Sequence, residues 1–119
     1  MEKKAWRKKI KKNCEDAGTY QPYFDPVIDT LAETLDIRDK TLEQYYESGG
    51  KAVINHTNKG GQTNAVRSPY LVMVNELDTK ALAIWRDLGL TPAGLKKLNA
   101  DVVKEKHDQS FEMFLAKVL

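Results

Sequence analysis

Apolar positions recur along this chain with helical spacing, and three stretches carry most of them. Trp6, Ile10 and Cys14 stand four residues apart, on one narrow stripe of a helix. Phe24, Val27, Ile28, Leu31 and Leu35 recur at three and four, with Asp25 as N-cap and Pro26 near the start. Over residues 69–88, Tyr70, Val74, Leu77, Ala81, Ile84 and Leu88 form one seam, and Leu71, Met73, Leu82 and Trp85 add apolar surface beside it. This is the longest helix the pattern predicts, roughly 30 Å at 1.5 Å per residue. Its apolar face is wider than one small core needs, so it serves either this chain alone or also a neighbouring subunit. Tyr70, Leu71, Val74, Leu77, Leu82 and Trp85 are the candidates for such an interface.

Turn residues punctuate the pattern. Asp36-Ile37-Arg38-Asp39 is expected to interrupt the second stretch, with a separate short helix from Lys40 to about Glu47. Leu42, Tyr45 and Tyr46 then face inward, and Ser48-Gly49-Gly50 stops the helix. Residues 51–67 change character: β-branched positions flank the turn signal Asn58-Lys59-Gly60-Gly61, which predicts a short hairpin. Ser68-Pro69 opens the long helix. Gly89 closes it, Thr91 caps the next, and Pro92 takes that helix's first position. Phe111, Phe114, Leu115 and Val118 share a face near the C-terminus, as a final amphipathic helix or a segment that orders on a partner. The expected organisation is a basic arm over 1–18, a helical core over 19–100 and an amphipathic segment over 101–119. The fold class is mainly α, with a helix-turn-helix-like pair, a small β-hairpin and one long helix.

Charge adds the next distinction. The formal net charge is +2 from 19 bases and 17 acids. Residues 1–12 hold seven of the bases (Lys3, Lys4, Arg7, Lys8, Lys9, Lys11, Lys12) and one acid, a net +6. The remaining twelve bases and sixteen acids give the rest of the chain −4. Such a block is either a polyanion-binding arm or a solvated tail. Trp6 and Ile10 argue for an arm that docks on the body, and the stripe is too narrow for a membrane-surface helix. No run of about 18 apolar residues is present to span a membrane. The basic start is not followed by an apolar stretch, so no secretory signal is expected.

The helical offsets of Leu31, Ala32, Leu35, Ile37, Leu42 and Tyr45 fit a helix-turn-helix, or equally a helical hairpin used for packing. Against DNA reading, Asp36 stands where Gly is usual. The second helix also sets Arg38 and Lys40 against Asp39, Glu43 and Glu47. Phosphates disfavour that balance. Arg38, Lys40 and Gln44 are therefore secondary candidates for DNA, behind the seven bases of the arm. Catalytic signals are missing. Cys14, His56 and His107 are scattered, and no HExxH, CxxC or phosphate-loop motif occurs. No metal, cofactor or enzymatic activity is expected.

The order of these features resembles the small terminase subunit of tailed double-stranded DNA bacteriophages. The stretches that carry the likeness are YFDPVIDTLAETLDIRDKTLEQYYESGG (23–50), the polar hairpin ending in Ser68-Pro69, and AIWRDLGLTP (83–92). That family often has a Ser-Arg pair soon after this Pro, where Ala93-Gly94-Leu95 stands here. The resemblance implies a non-catalytic homo-oligomeric ring that recognises viral double-stranded DNA and passes it to the large ATPase/nuclease subunit. It places the protein in the cytoplasm of the infected bacterial host. It also makes residues 101–119 a candidate contact for the large subunit or the portal. The alternatives are a dimeric helix-turn-helix transcription regulator and a helical adaptor without DNA contact.

Overall fold

A computed structural model describes residues 1–99, so Phe111, Phe114, Leu115 and Val118 lie outside the described residues. The first apolar stripe forms helix α1, Lys3–Ala17. Ile10 and Cys14 are fully buried, and Trp6 packs half-buried on the same core. Gly18 ends the helix in the left-handed conformation (φ 72°), which L side chains disfavour. A short 3-10 turn, Pro22–Phe24, leads into α2, Asp25–Glu47. Asp25 begins the helix rather than capping it, and its carboxylate accepts the Tyr20 hydroxyl at 2.8 Å.

Helix α2 runs 23 residues without a break, and it is the longest element among the described residues. The interruption expected at residues 36–39, and with it the helix-turn-helix-like pair, is absent. No Gly or Pro lies between residues 27 and 48 to force one. Asp and Thr cost a helix interior only about 0.7 kcal/mol or less each. Asp is a weak helix former because its carboxylate competes for nearby backbone. Here both carboxylates are occupied elsewhere: Asp36 Oδ2 accepts the Lys3 backbone N–H at 3.1 Å, and Asp39 Oδ2 accepts Trp6 Nε1–H at 2.8 Å. Both bonds cross to α1. Gly50 closes the end of α2, its N–H donating to Tyr45 O at 3.0 Å while the Tyr45 hydroxyl donates to Gly50 O at 2.7 Å. Tyr46, expected to face inward, is 66% exposed.

Helix α3, Pro69–Asp87, follows the hairpin. Helices α1 and α3 both pack on α2, which makes α2 the spine of the core. That core joins Ile10 and Cys14 of α1, Ile28, Leu31, Ala32 and Leu35 of α2, Ala81 of α3, and Leu88. Each buried Leu or Ile contributes about 1.5–3 kcal/mol by leaving water. Arg38 Nε reaches Asp78 Oδ1 at 2.9 Å and ties α2 to α3. After α3, Gly89 turns the chain at φ 74° and Thr91 Oγ1 accepts the Gly94 N–H at 3.1 Å, the expected cap, before helical turns over residues 92–99. Gly94 is buried against α3, where a Cβ would collide with the Arg86 carbonyl.

Strands β1, Val53–Thr57, and β2, Thr63–Arg67, pair antiparallel with Val53 opposite Arg67 and Thr57 opposite Thr63. All of their residues are exposed, so among the described residues no helix packs over either face. The mainly helical fold with three long helices and one hairpin agrees with the expected class.

Candidate nucleic-acid interface

The seven bases of the first twelve residues do not form one uniform cloud. Helix α1 turns them to different sides. Lys3 and Arg7 flank the buried stripe and are engaged by α2: Lys3 Nζ lies 3.2 Å from Asp29 Oδ2, and Arg7 Nη2 lies 2.8 Å from Asp29 Oδ1. Lys9 stacks over the Trp6 ring at 5.3 Å, and Lys11 over the Tyr20 ring at 5.1 Å. Lys4, Lys8 and Lys12 form no ion pair among the described residues. Lys4, Lys8 and Lys12 fall at i, i+4 and i+8 on the face opposite Ile10, Lys11 borders that face on the side of Tyr20, and all four are exposed. At 1.5 Å per residue this stripe is about 12 Å long.

The charge order on α1 runs against its own dipole. Its first turn carries no acid and its last turn no base. Such placements cost about 0.3–1 kcal/mol per charge. Helix α2 offsets part of that cost. Asp36 receives the Lys3 N–H, which satisfies a donor that Glu2, making no side-chain cap bond, leaves open. Asp39 gathers Trp6 Nε1, the N-terminal ammonium at 2.9 Å and Arg38 Nη1 at 3.4 Å. Burial alone would push the Asp39 carboxyl up. The hydrogen bonds from the ammonium, Trp6 and Arg38 outweigh it and hold the carboxyl below the usual carboxylate range. Burial raises the Cys14 thiol, its hydrogen bond with Thr19 notwithstanding, so this cysteine is a packing residue.

Of the second group of candidates, Arg38 is committed to Asp78 and Asp39. Lys40 reaches Asp36 at 3.2 Å and Glu2 at 3.9 Å, and its ammonium is held protonated chiefly by the Asp36 hydrogen bond. Gln44 is exposed on α2. The structure does not bring these three together with the lysine stripe of α1. Of the six interface candidates on α3, Val74 is buried within the chain and Trp85 packs on its core. Leu71 and Leu77 are half-buried. Tyr70 and Leu82 remain exposed, at 39% and 62%, with Met73 at 50% beside Tyr70 and on the opposite side of α3 from Leu82.

Sequence reasoning missed Asp36 and Asp39 as the acceptors that dock α1. A usable signal existed: a basic helix whose charges oppose its dipole needs carboxylates from elsewhere, and α2 carries an acid at 25, 29, 33, 36 and 39. Among the described residues no group of His, Cys, Asp and Glu is placed to hold a metal ion, and no helix is long and apolar enough to cross a membrane.

The model of the family described as phage terminase, small subunit, matches residues 3–105. The chain belongs to that family. No curated protein sequence and no solved structure matched it. The match to this terminase small subunit spans α1, α2, the hairpin, α3 and the turns over 92–99, so the basic helix lies inside the family's domain rather than ahead of it.

Proposed function

We propose that this terminase small subunit is the non-catalytic DNA-recognition component of genome packaging. It binds viral duplex DNA and delivers it to the large ATPase/nuclease subunit in the cytoplasm of the infected host. The observation that carries the reading is the lysine stripe of α1, Lys4, Lys8, Lys11 and Lys12. A docked helix holds these side chains outward, against a body of opposite net charge. Packing by Trp6, Ile10 and Cys14 orders the helix before DNA arrives, so binding costs less conformational entropy than a free tail would require. Lys3 and Arg7 act as docking residues, and Arg38 and Lys40 as internal ties. Tyr70 and Met73 on one side of α3, and Leu82 on the other, are the exposed parts of subunit contacts in a homo-oligomeric ring, and the ring multiplies a short stripe into useful avidity.

The test is duplex binding over a salt titration. Replacing Lys4, Lys8, Lys11 and Lys12 together by Gln is expected to flatten the slope of log K against log salt by about 0.9 for each phosphate no longer neutralised. Wild-type affinity and slope in this variant would overturn the reading and favour an adaptor without DNA contact. The transcription-regulator alternative loses its basis, because unbroken α2 has no separate recognition helix to present.

A further inference from the structure

The hairpin is the one element of this fold that the packing does not explain. A two-stranded ribbon is marginal in water unless a third strand or a helix covers it. Here every residue of both strands is exposed. The apolar side chains sit toward its base, Val53, Ile54 and Val66, and there Val53 and Arg67 border Leu71, Val72, Asn75 and Glu76 of α3. Beyond them, residues 55–64 read Asn-His-Thr-Asn-Lys-Gly-Gly-Gln-Thr-Asn, with no apolar residue and no acid. The whole segment 51–67 carries Lys51, Lys59 and Arg67 and not one carboxylate, in a chain that is otherwise acidic outside α1.

Its tip is nevertheless ordered by specific bonds. Asn58 Oδ1 accepts the N–H groups of Gly60 and Gln62, both at 3.0 Å. Asn58 N–H donates to Gln62 O at 2.8 Å, and Gly61 takes a φ of 81°. The Thr57 and Thr63 hydroxyls bond across the strands at 3.0 Å. Asn55, Asn64 and Arg67 make no side-chain hydrogen bond among the described residues. The register places Asn55, Ala65 and Arg67 on one face and His56 with Asn64 on the other. A pre-ordered, acid-free ribbon with free amide and guanidinium groups matches a polyanion with hydrogen-bonding edges. It does not match the dry apolar core of a stable protein interface.

We propose that the β1–β2 hairpin is a second nucleic-acid contact, a ribbon that enters the major groove of duplex DNA with the Asn55–Arg67 face toward the bases. The proposal rests on the reading that this small subunit binds duplex DNA. The major groove is about 12 Å wide and admits a two-stranded ribbon. Asn pairs with the N7 and N6 edge of adenine, Arg with the O6 and N7 edge of guanine, and small methyl-bearing side chains meet thymine. Lys59 at the tip faces the phosphates that border the groove. The α1 docking carboxylate Asp36 lies about 16 Å along the α2 axis from Glu47, where α2 hands over to the hairpin. The helix stripe and the ribbon are therefore separate points of grip on one duplex.

The test uses the full chain, a labelled random-sequence duplex, and the same duplex built with 7-deazapurines, which lack the major-groove N7 acceptor. Wild type is expected to prefer the unmodified duplex several-fold. Asn55→Ala/Arg67→Ala should erase that preference and weaken binding about tenfold, the scale of removing one bidentate base pairing. Lys59→Gln should flatten the salt slope by about 0.9. His56→Ala/Asn64→Ala should behave as wild type. Indifference of wild type to N7 removal, or unchanged binding in both Asn55→Ala/Arg67→Ala and Lys59→Gln, overturns the proposal. So does a fall in oligomer mass with unchanged binding per subunit, which would make the ribbon a contact between copies. The α1 reading fails separately: its four-lysine variant alters the salt slope but should keep the N7 preference.

Discussion

Single residues decide two close approaches in this fold. Gly94 lets the turns over 92–99 lie against the end of α3, where any Cβ would meet the Arg86 carbonyl backbone. A backbone obstacle cannot swing aside as a side chain can. Gly94→Ala is therefore expected to destabilise the protein by about 1–3 kcal/mol, despite the better helix propensity of Ala. Urea unfolding reads this directly, and wild-type stability would mean that the turns can shift outward freely. Thr91 works at the same scale, since its hydroxyl oxygen supplies the cap that the Gly94 N–H needs. The second residue after Pro92 must be small, and Gly meets the requirement.

At the scale of elements, α1 is held by an apolar stripe on one side and by carboxylates at its amino end. Asp39 makes that docking pH-dependent. Its folded carboxyl titrates below the ordinary value of 3.8, so its contribution is fully present above that pH. The contribution disappears as pH falls through the lower folded value. Cys14 reports the event, because it is fully buried while α1 is docked. Labelling with a disulfide reagent active in acid is expected to accelerate below about pH 3.8. Asp39→Asn should label faster than wild type at neutral pH and converge with it in acid. A constant ratio of the two rates across that range would remove Asp39 from the docking. The same logic explains why α2 is continuous, since its central acids are consumed in holding α1 and do not turn back on their own backbone.

For the whole molecule, the division of charge and apolar surface is the organising fact. Positive charge concentrates on α1 and the hairpin, and negative charge lines α2 between them. Tyr70 and Met73 stay exposed on one side of the buried Val74 and Ala81, and Leu82, half a helical rotation from Met73, on the other. A closed ring, in which each copy meets one neighbour on either side, would cover both sides of α3 and line up the lysine stripes. Light scattering coupled to size exclusion is expected to give a mass several times that of the chain, and Leu82→Glu should lower it. A monomer at micromolar concentration, or a Leu82→Glu variant of wild-type mass, would separate Leu82 from assembly. Val74 is unsuitable for this test, because its substitution would damage the core itself.

What the sequence determined by itself is what backbone chemistry settles locally. The apolar spacing placed α1, the start of α2 and α3. The glycine-rich turn placed the hairpin, and Gly89, Thr91 and Pro92 placed the junction after α3. The order of these pieces was enough to suggest the family. Tertiary structure alone decided whether residues 36–39 break a helix, because the partners of Asp36 and Asp39 stand 33 residues away on another element. It also decided which of the seven bases remain free, since α2 neutralises Lys3 and Arg7 while Lys4, Lys8 and Lys12 face away. And among the described residues it left both strands of the hairpin exposed. Propensity and capping act within a few residues, whereas a carboxylate finds its donor, and a ribbon its cover, only when distant segments meet in space.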